Sequence, residues 1–312
     1  MGVEYDENVF YGHLIKGDLS SALGYLKKFP EQAGLYGRYR SVFEQGHNIA
    51  YDADSYLNEL LAVYQQYYRD VFYLNMNASE AAERMKRRFS ALFDTVDQDM
   101  AFDAMENDLI AEAFRSRSFH FLGGKTGGYY GPYIWSTTET RRYDVELPNG
   151  VQEYTVRFLD GFLTKSWLDY LSFGTVSTGG WSDGDGIINC VKSSYDVESE
   201  RFQVSLLKHE AQHAMDLSKY RNMSSEDLEY RAKLVELIYS SQRNLLAQFV
   251  YEAGTENADN GHSRAAERLA EDFSKALRRG RGELGALSAG QIRSAAKALF
   301  AKNDDEIRSK YA

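Results

Sequence analysis

Apolar residues recur at spacings of three and four along most of this chain. Tyr56, Leu57, Leu60, Leu61, Tyr64, Tyr67 and Val71 mark one buried helical face. Ala82, Met85, Phe89 and Leu92 repeat that rhythm behind Asn77-Ala78-Ser79, whose asparagine suits a helix cap. From about residue 17 to 119 the pattern predicts helix after helix. The texture changes at Gly123-Gly124-Lys125-Thr126-Gly127-Gly128, a cluster that marks a loop. Beyond it, Tyr143, Val145 and Leu147 alternate with polar residues, as do Tyr154, Val156 and Phe158. The Pro148-Asn149-Gly150 between them predicts a β-hairpin with an Asn-Gly turn.

Residues 164–172 suggest a short helix, 174–186 are glycine-rich, and 187–192 suggest a short strand. The remainder predicts long helices from Ser224 to about Val250, from Gly261 to about Leu277 and from Ser288 to Ala301, with Ser224 and Ser288 as N-caps. The expected fold is α+β and predominantly helical. An all-helical N-terminal domain over 1–120 precedes a domain over 121–312, built on a small mixed sheet with a helical C-terminal part.

Composition narrows the function classes. A net charge of −10 argues against a nucleic-acid backbone as partner, since phosphate contacts need a basic surface. Two basic clusters, Arg84 with Lys86, Arg87 and Arg88, and Arg278 with Arg279 and Arg281, read as solvated helix faces. No run of about 18 apolar residues is present, so no transmembrane segment is expected. The acidic N-terminus has neither the basic nor the apolar region of a signal peptide, and Asp6 stands where a myristoylation pattern wants Ser or Thr. The single Cys190 suits a reducing compartment and many exported bacterial proteins equally, so compartment and oligomeric state stay open.

The chemistry concentrates in Lys208-His209-Glu210-Ala211-Gln212-His213-Ala214-Met215-Asp216. On a helix, residues i and i+4 stand on one face about 5–6 Å apart, so two imidazoles can converge on one ion. Glu210 lies about 100° round the axis and can reach a water beside that ion. Val204, Leu207, Ala211 and Ala214 or Met215 form an apolar stripe that leaves His209 and His213 on an adjacent face. Two motifs nearby lead elsewhere. Gly124-Lys125-Thr126 lacks the earlier glycine of a phosphate loop, because Phe119 stands there. Asp183-Gly184-Asp185-Gly186 lacks the later ligands of a calcium loop.

With Leu207, Ala211, Gln212 and Ala214 uncharged between and beside the histidines, the segment resembles the active-site helix of the zincin metallopeptidases. The further His or Asp of the metzincins is missing. The resemblance is therefore to the gluzincin branch, in which a Glu on a later helix completes the ligand set, and it is specific only over His209–His213 and, less so, Glu229. It implies a hydrolase that cleaves peptides or proteins, with Zn2+ held by His209, His213 and Glu229, and with Glu210 as base. Glu226 and Glu236 are the other acids on the following helix. Glu226 is explained by the helix dipole, Glu236 is the reserve ligand, and the plain alternative for Glu229 is a surface pair with Lys233. The branch also uses a His or Tyr to stabilise the oxyanion, which points to His262, with Tyr230 and Tyr239 as rivals. It lays substrate along an edge strand, which points to 187–192. Asp216 is expected to brace a neighbour. The rival from another class is a peptidase-like binding module with structural zinc or none, acting through its N-terminal helices; Glu210 is the feature such a module does not require.

Overall fold

Asn77 and Ser224 each stand just before a helix and accept a backbone N–H of its first turn, at 2.9 Å from Ser79 N and 3.2 Å from Asp227 N. They satisfy donors that a helix leaves without partners. The computed structural model describes residues 4–93, 99–182, 187–253 and 261–311; the Asp183–Gly186 segment lies outside them. The fold is mixed α+β and mostly helical. The chain forms two units, Met1–Thr137 with Asp160–Thr178, and Thr138–Leu159 with Gly179–Ala312. Residues 121–137 thus group with the N-terminal helices, whereas the glycine cluster puts a boundary near residue 120.

In the first unit, α1 (Glu7–Ile15), α2 (Leu19–Leu26), α3 (Ala33–Tyr39), α4 (Ser55–Tyr68), α5 (Ala78–Ser90), α6 (Phe102–Met105) and α7 (Ala111–Arg115) precede β1 (His120–Leu122). A small hairpin, β2 (Lys125–Thr126) with β3 (Tyr129–Tyr130), follows. The Gly-Lys-Thr segment therefore enters a hairpin, where a phosphate loop would open a helix. Strand β4 (Tyr133–Leu147) starts in this unit, pairing with β1, and β5 (Gly150–Lys165) ends in it, before α8 (Ser166–Leu171). The abundance of tyrosine has a structural use here. Tyr39, Tyr64 and Tyr67 are buried, and their hydroxyls find partners, Tyr39 donating to Leu171 O at 2.6 Å and Tyr64 to Glu106 Oε1 at 2.6 Å. The other Glu106 oxygen accepts Gly124 N at 2.6 Å. A side chain at Gly123 would meet the Glu106 carboxyl carbon at 2.5 Å, so the glycine cluster is what lets this loop close over the buried acid.

In the second unit, β4 and β5 turn at Pro148–Asn149, with Gly150 at φ 131°. The strands run well past the alternating residues that announce them. Thr138–Arg142 expose their side chains, so no apolar rhythm betrays that stretch. Strand β7 (Ile187–Val191) lies parallel to β5, as Phe158↔Cys190 shows, and β6 (Gly180–Ser182) pairs antiparallel on its other side. This corrects one expectation. Flanked on both sides, β7 has no edge left for a substrate strand, and β6 is the edge.

After α9 (Glu200–Phe202), the backbone widens into i→i+5 turns over Gln203–Lys208 and tightens again as α10 (His209–Lys219). Helix α11 (Ser225–Tyr239) returns against it, followed by α12 (Leu245–Ala253), α13 (Gly261–Leu277) and α14 (Ala289–Tyr311). The helix expected from Ser224 to Val250 is broken after Tyr239. Ser240 turns to ψ 143°, and the hydroxyls of Ser240 and Ser241 donate to the Glu200 carboxylate at 2.6 and 2.5 Å. These side chains offer the backbone an alternative to continuing the helix. Helix α14 runs ten residues beyond Ala301 because its last turn is tied down, Lys310 Nζ and Tyr311 Oη donating to Asp227 at 2.7 and 2.6 Å.

Candidate metal centre

The apolar stripe of α10 is buried as expected, with Leu207, Ala211, Ala214 and Met215 in the core of the second unit. That packing fixes the rotation of the helix and turns the adjacent face, with both histidines, toward α11. The rings of His209 and His213 meet at 67° with centroids 4.6 Å apart. Glu229, one turn inside α11, completes the group. His209 Nε2 lies 3.5 Å from Glu229 Oε2, and His213 Nε2 lies 3.7 Å from Glu229 Oε1. Ligand atoms of these three residues all lie within 4.8 Å of one another.

One of these atoms is an orphan. His213 Nε2 is buried without a hydrogen-bond partner among the described residues, a condition that costs on the order of 1–3 kcal/mol in a protein interior. A cation held at the usual ~2.0–2.2 Å would satisfy it, and tetrahedral zinc places its ligand atoms about 3.3 Å apart, close to the spacing found. Two imidazoles and a carboxylate are a borderline-soft donor set suited to a divalent transition metal. The residues present therefore fit a metal ion. The electrostatics favour a cation too. Burial works against ionising Glu229, yet the neighbouring histidines His209 and His262 hold its carboxyl far below the usual range.

The tautomer of His209 is set from behind. Its Nδ1 lies 2.8 Å from Glu236 Oε1, so this nitrogen donates to the carboxylate and Nε2 is left to face the ion. Glu236 is thus not a member of the converging group. It sits two helical turns beyond Glu229 and grips the first histidine from the far side, a role sequence reasoning missed; the seven-residue spacing on one helix face was the available signal. Burial also opposes ionisation of His209, but Glu229 and Glu236 together outweigh it and favour the protonated ring when no ion is bound.

Glu210 places Oε2 3.6 Å from His213 Nδ1. Burial pushes its carboxyl up, and the two imidazoles more than offset this, so the group is held ionised, the state a base needs. His262, half exposed at the start of α13, brings Nδ1 to 2.8 Å from Glu229 Oε2. A side chain at Gly261 would stand 2.9 Å from Ser225 Cβ, so only glycine lets α13 begin this close to α11.

The remaining candidates have other partners. Glu226 pairs with Arg264 at 3.2 Å, and Lys233 pairs with Glu252 at 2.8 Å, leaving the Glu229–Lys233 surface pair unmade. Tyr230 donates to Asp272 at 2.8 Å, and Tyr239 lies under Lys208. Asp216 is buried and accepts Gln212 Nε2 at 2.9 Å and Arg231 Nε at 2.8 Å, which braces α10 against α11. Burial pushes the Cys190 thiol up to about 12, which removes it as a nucleophile at neutral pH. No helix among the described residues is long and apolar enough to cross a membrane. Set against models of protein families, curated proteins and solved structures, the chain finds no match in any of the three.

Proposed function

We propose that this protein is a zinc-dependent peptidase of the gluzincin type, with His209, His213 and Glu229 as metal ligands. The observation that carries the reading is the convergence of His209, His213 and Glu229 on one point, with His213 Nε2 buried there and without a partner among the described residues. A zinc ion there supplies a Lewis acid for the scissile carbonyl and lowers the pKa of water to about 7. Glu210 takes the proton of the attacking water and delivers it to the leaving amine. His262 props Glu229 through Nδ1, which lies 2.8 Å from Oε2, and its other ring nitrogen is the group proposed to face the developing oxyanion.

Glu210 also separates catalysis from a purely structural metal site, which has no use for a carboxylate beside the ion. Purified protein should carry one zinc per chain and cleave a mixed peptide library in a chelator-sensitive way. Glu210→Gln should keep the zinc and lose at least about 100-fold in rate. A fully zinc-loaded wild type without hydrolysis, or a variant as active as wild type, rules the peptidase reading out.

A further inference from the structure

At the far end of α11 from Glu229, the second unit carries a cavity of about 590 Å³ between the β4–β5 turn and one face of α14. Its size is that of a small-molecule site. Ile238 and Phe300, both buried, give it an apolar floor with Tyr239 beside them. Arg293 and Lys297, four residues apart on α14, stand exposed at its rim. That spacing sets both cations on one side of the helix, aimed at the same space.

The charges around the cavity are not paired with one another. Asp304 lines it, but Arg231 Nη2 holds that carboxylate at 2.7 Å. Glu146 also lines it and lies in the field of Lys208, whose Nζ donates to the Glu146 carbonyl at 2.5 Å and covers the Tyr239 ring at 4.0 Å. Asp304 thus shares Arg231 with Asp216, and Glu146 has Lys208 nearby. Arg293 and Lys297 have no such partner: among the described residues neither forms an ion pair, and Arg293 makes only a 3.5 Å contact to Ser240 O. In a chain of net charge −10, two exposed cations without an ion-pair partner over an apolar floor leave donors available to an anion.

We infer that this cavity binds a small organic acid, its carboxylate held by Arg293 and Lys297 and its apolar body laid on Ile238, Tyr239 and Phe300. The guanidinium offers paired donors matched to a carboxylate, the ammonium adds a point charge, and the rings favour an aromatic or branched apolar group. The site shares no residue with the metal centre, so the inference stands apart from the peptidase reading.

Calorimetric titration of the full-length protein with 3-phenylpropionate and with its neutral amide tests this. The acid should bind one per chain with Kd of ~1 mM or tighter, and the amide at least ~10-fold more weakly. Arg293→Gln with Lys297→Gln removes two exposed charges without touching the core, and should weaken the acid by ~10-fold or more while Lys302→Gln, elsewhere on α14, leaves it unchanged. Equal binding of acid and amide, unchanged binding in the double variant, no saturation by ~10 mM, or inorganic phosphate binding as well as the aromatic acid would each overturn the assignment.

Discussion

His209 and Glu236 face each other across 2.8 Å, the histidine from α10 and the carboxylate two turns past Glu229 on α11. One helix thus supplies both a member of the candidate metal group and the residue that aims another member. Glu236→Ala should lower zinc affinity by about 10–100-fold, the usual cost of losing such an outer partner. Glu236→Gln, which can still accept from Nδ1, should lose less. Competition against a chelator of known affinity measures both, and wild-type affinity in Glu236→Ala would show that the contact does not tune the site.

Gly261→Ala tests how tightly His262 is delivered. The added carbon would press on Ser225 at the head of α11 and push α13 away from Glu229. Loss of about 1–3 kcal/mol in stability is expected, as for other overpacked contacts. Adding Ser225→Gly should recover part of it in urea unfolding. A Gly261→Ala protein as stable as wild type would mean the two helix starts can slide apart freely.

Arg231 is 2% exposed and sits between Asp216 and Asp304, with its guanidinium 4.4 Å over the Phe300 ring. Arg231→Met strands Asp216 as a buried charge, which should cost about 3–5 kcal/mol. Arg231→Met with Asp216→Leu should regain most of that loss. If the single variant unfolds within about 1 kcal/mol of wild type, the pair is not what holds α10 to α11.

Glu106 predicts a pH dependence in the first unit. Burial pushes its carboxyl up to about 7 against the opposing bonds from Tyr64 and Gly124, from an ordinary 4.5. The folded state therefore binds the proton more tightly than the unfolded chain. The stabilisation is complete below pH 4.5 and is lost as pH rises toward 7, by up to about 3 kcal/mol. Glu106→Gln should remove this slope. Unfolding of both proteins in urea at pH 5 and pH 8 gives the difference, and equal slopes would place the Glu106 proton in solvent.

The converging histidines were legible because helical spacing and side-chain chemistry coincide in residues 209–213, and Glu229 because the resemblance asks for an acid on the following helix. Other features carried no local signal. The middle of β4 is Thr-Glu-Thr-Arg-Arg with both faces wet, so pairing alone makes it a strand. Strand β6 hides in a glycine-rich stretch, and its cover over β7 is a matter of topology. The break at Ser240 depends on Glu200, forty residues earlier, which no window around the helix contains. Glu236 looked like a spare ligand because sequence gives the turn of the helix on which an acid lies, and not which nitrogen it meets.

The i→i+5 turns over Gln203–Lys208 have a consequence of phase. Upstream, Phe202 is keyed to the sheet side through its stack on Phe158; downstream, His209 is keyed to α11. In an ordinary helix one residue is a rotation of about 100°, so these six residues work as a clutch between two fixed parts. The segment lets the sheet side and the two imidazoles keep separate bearings, although none of its six residues belongs to the converging group.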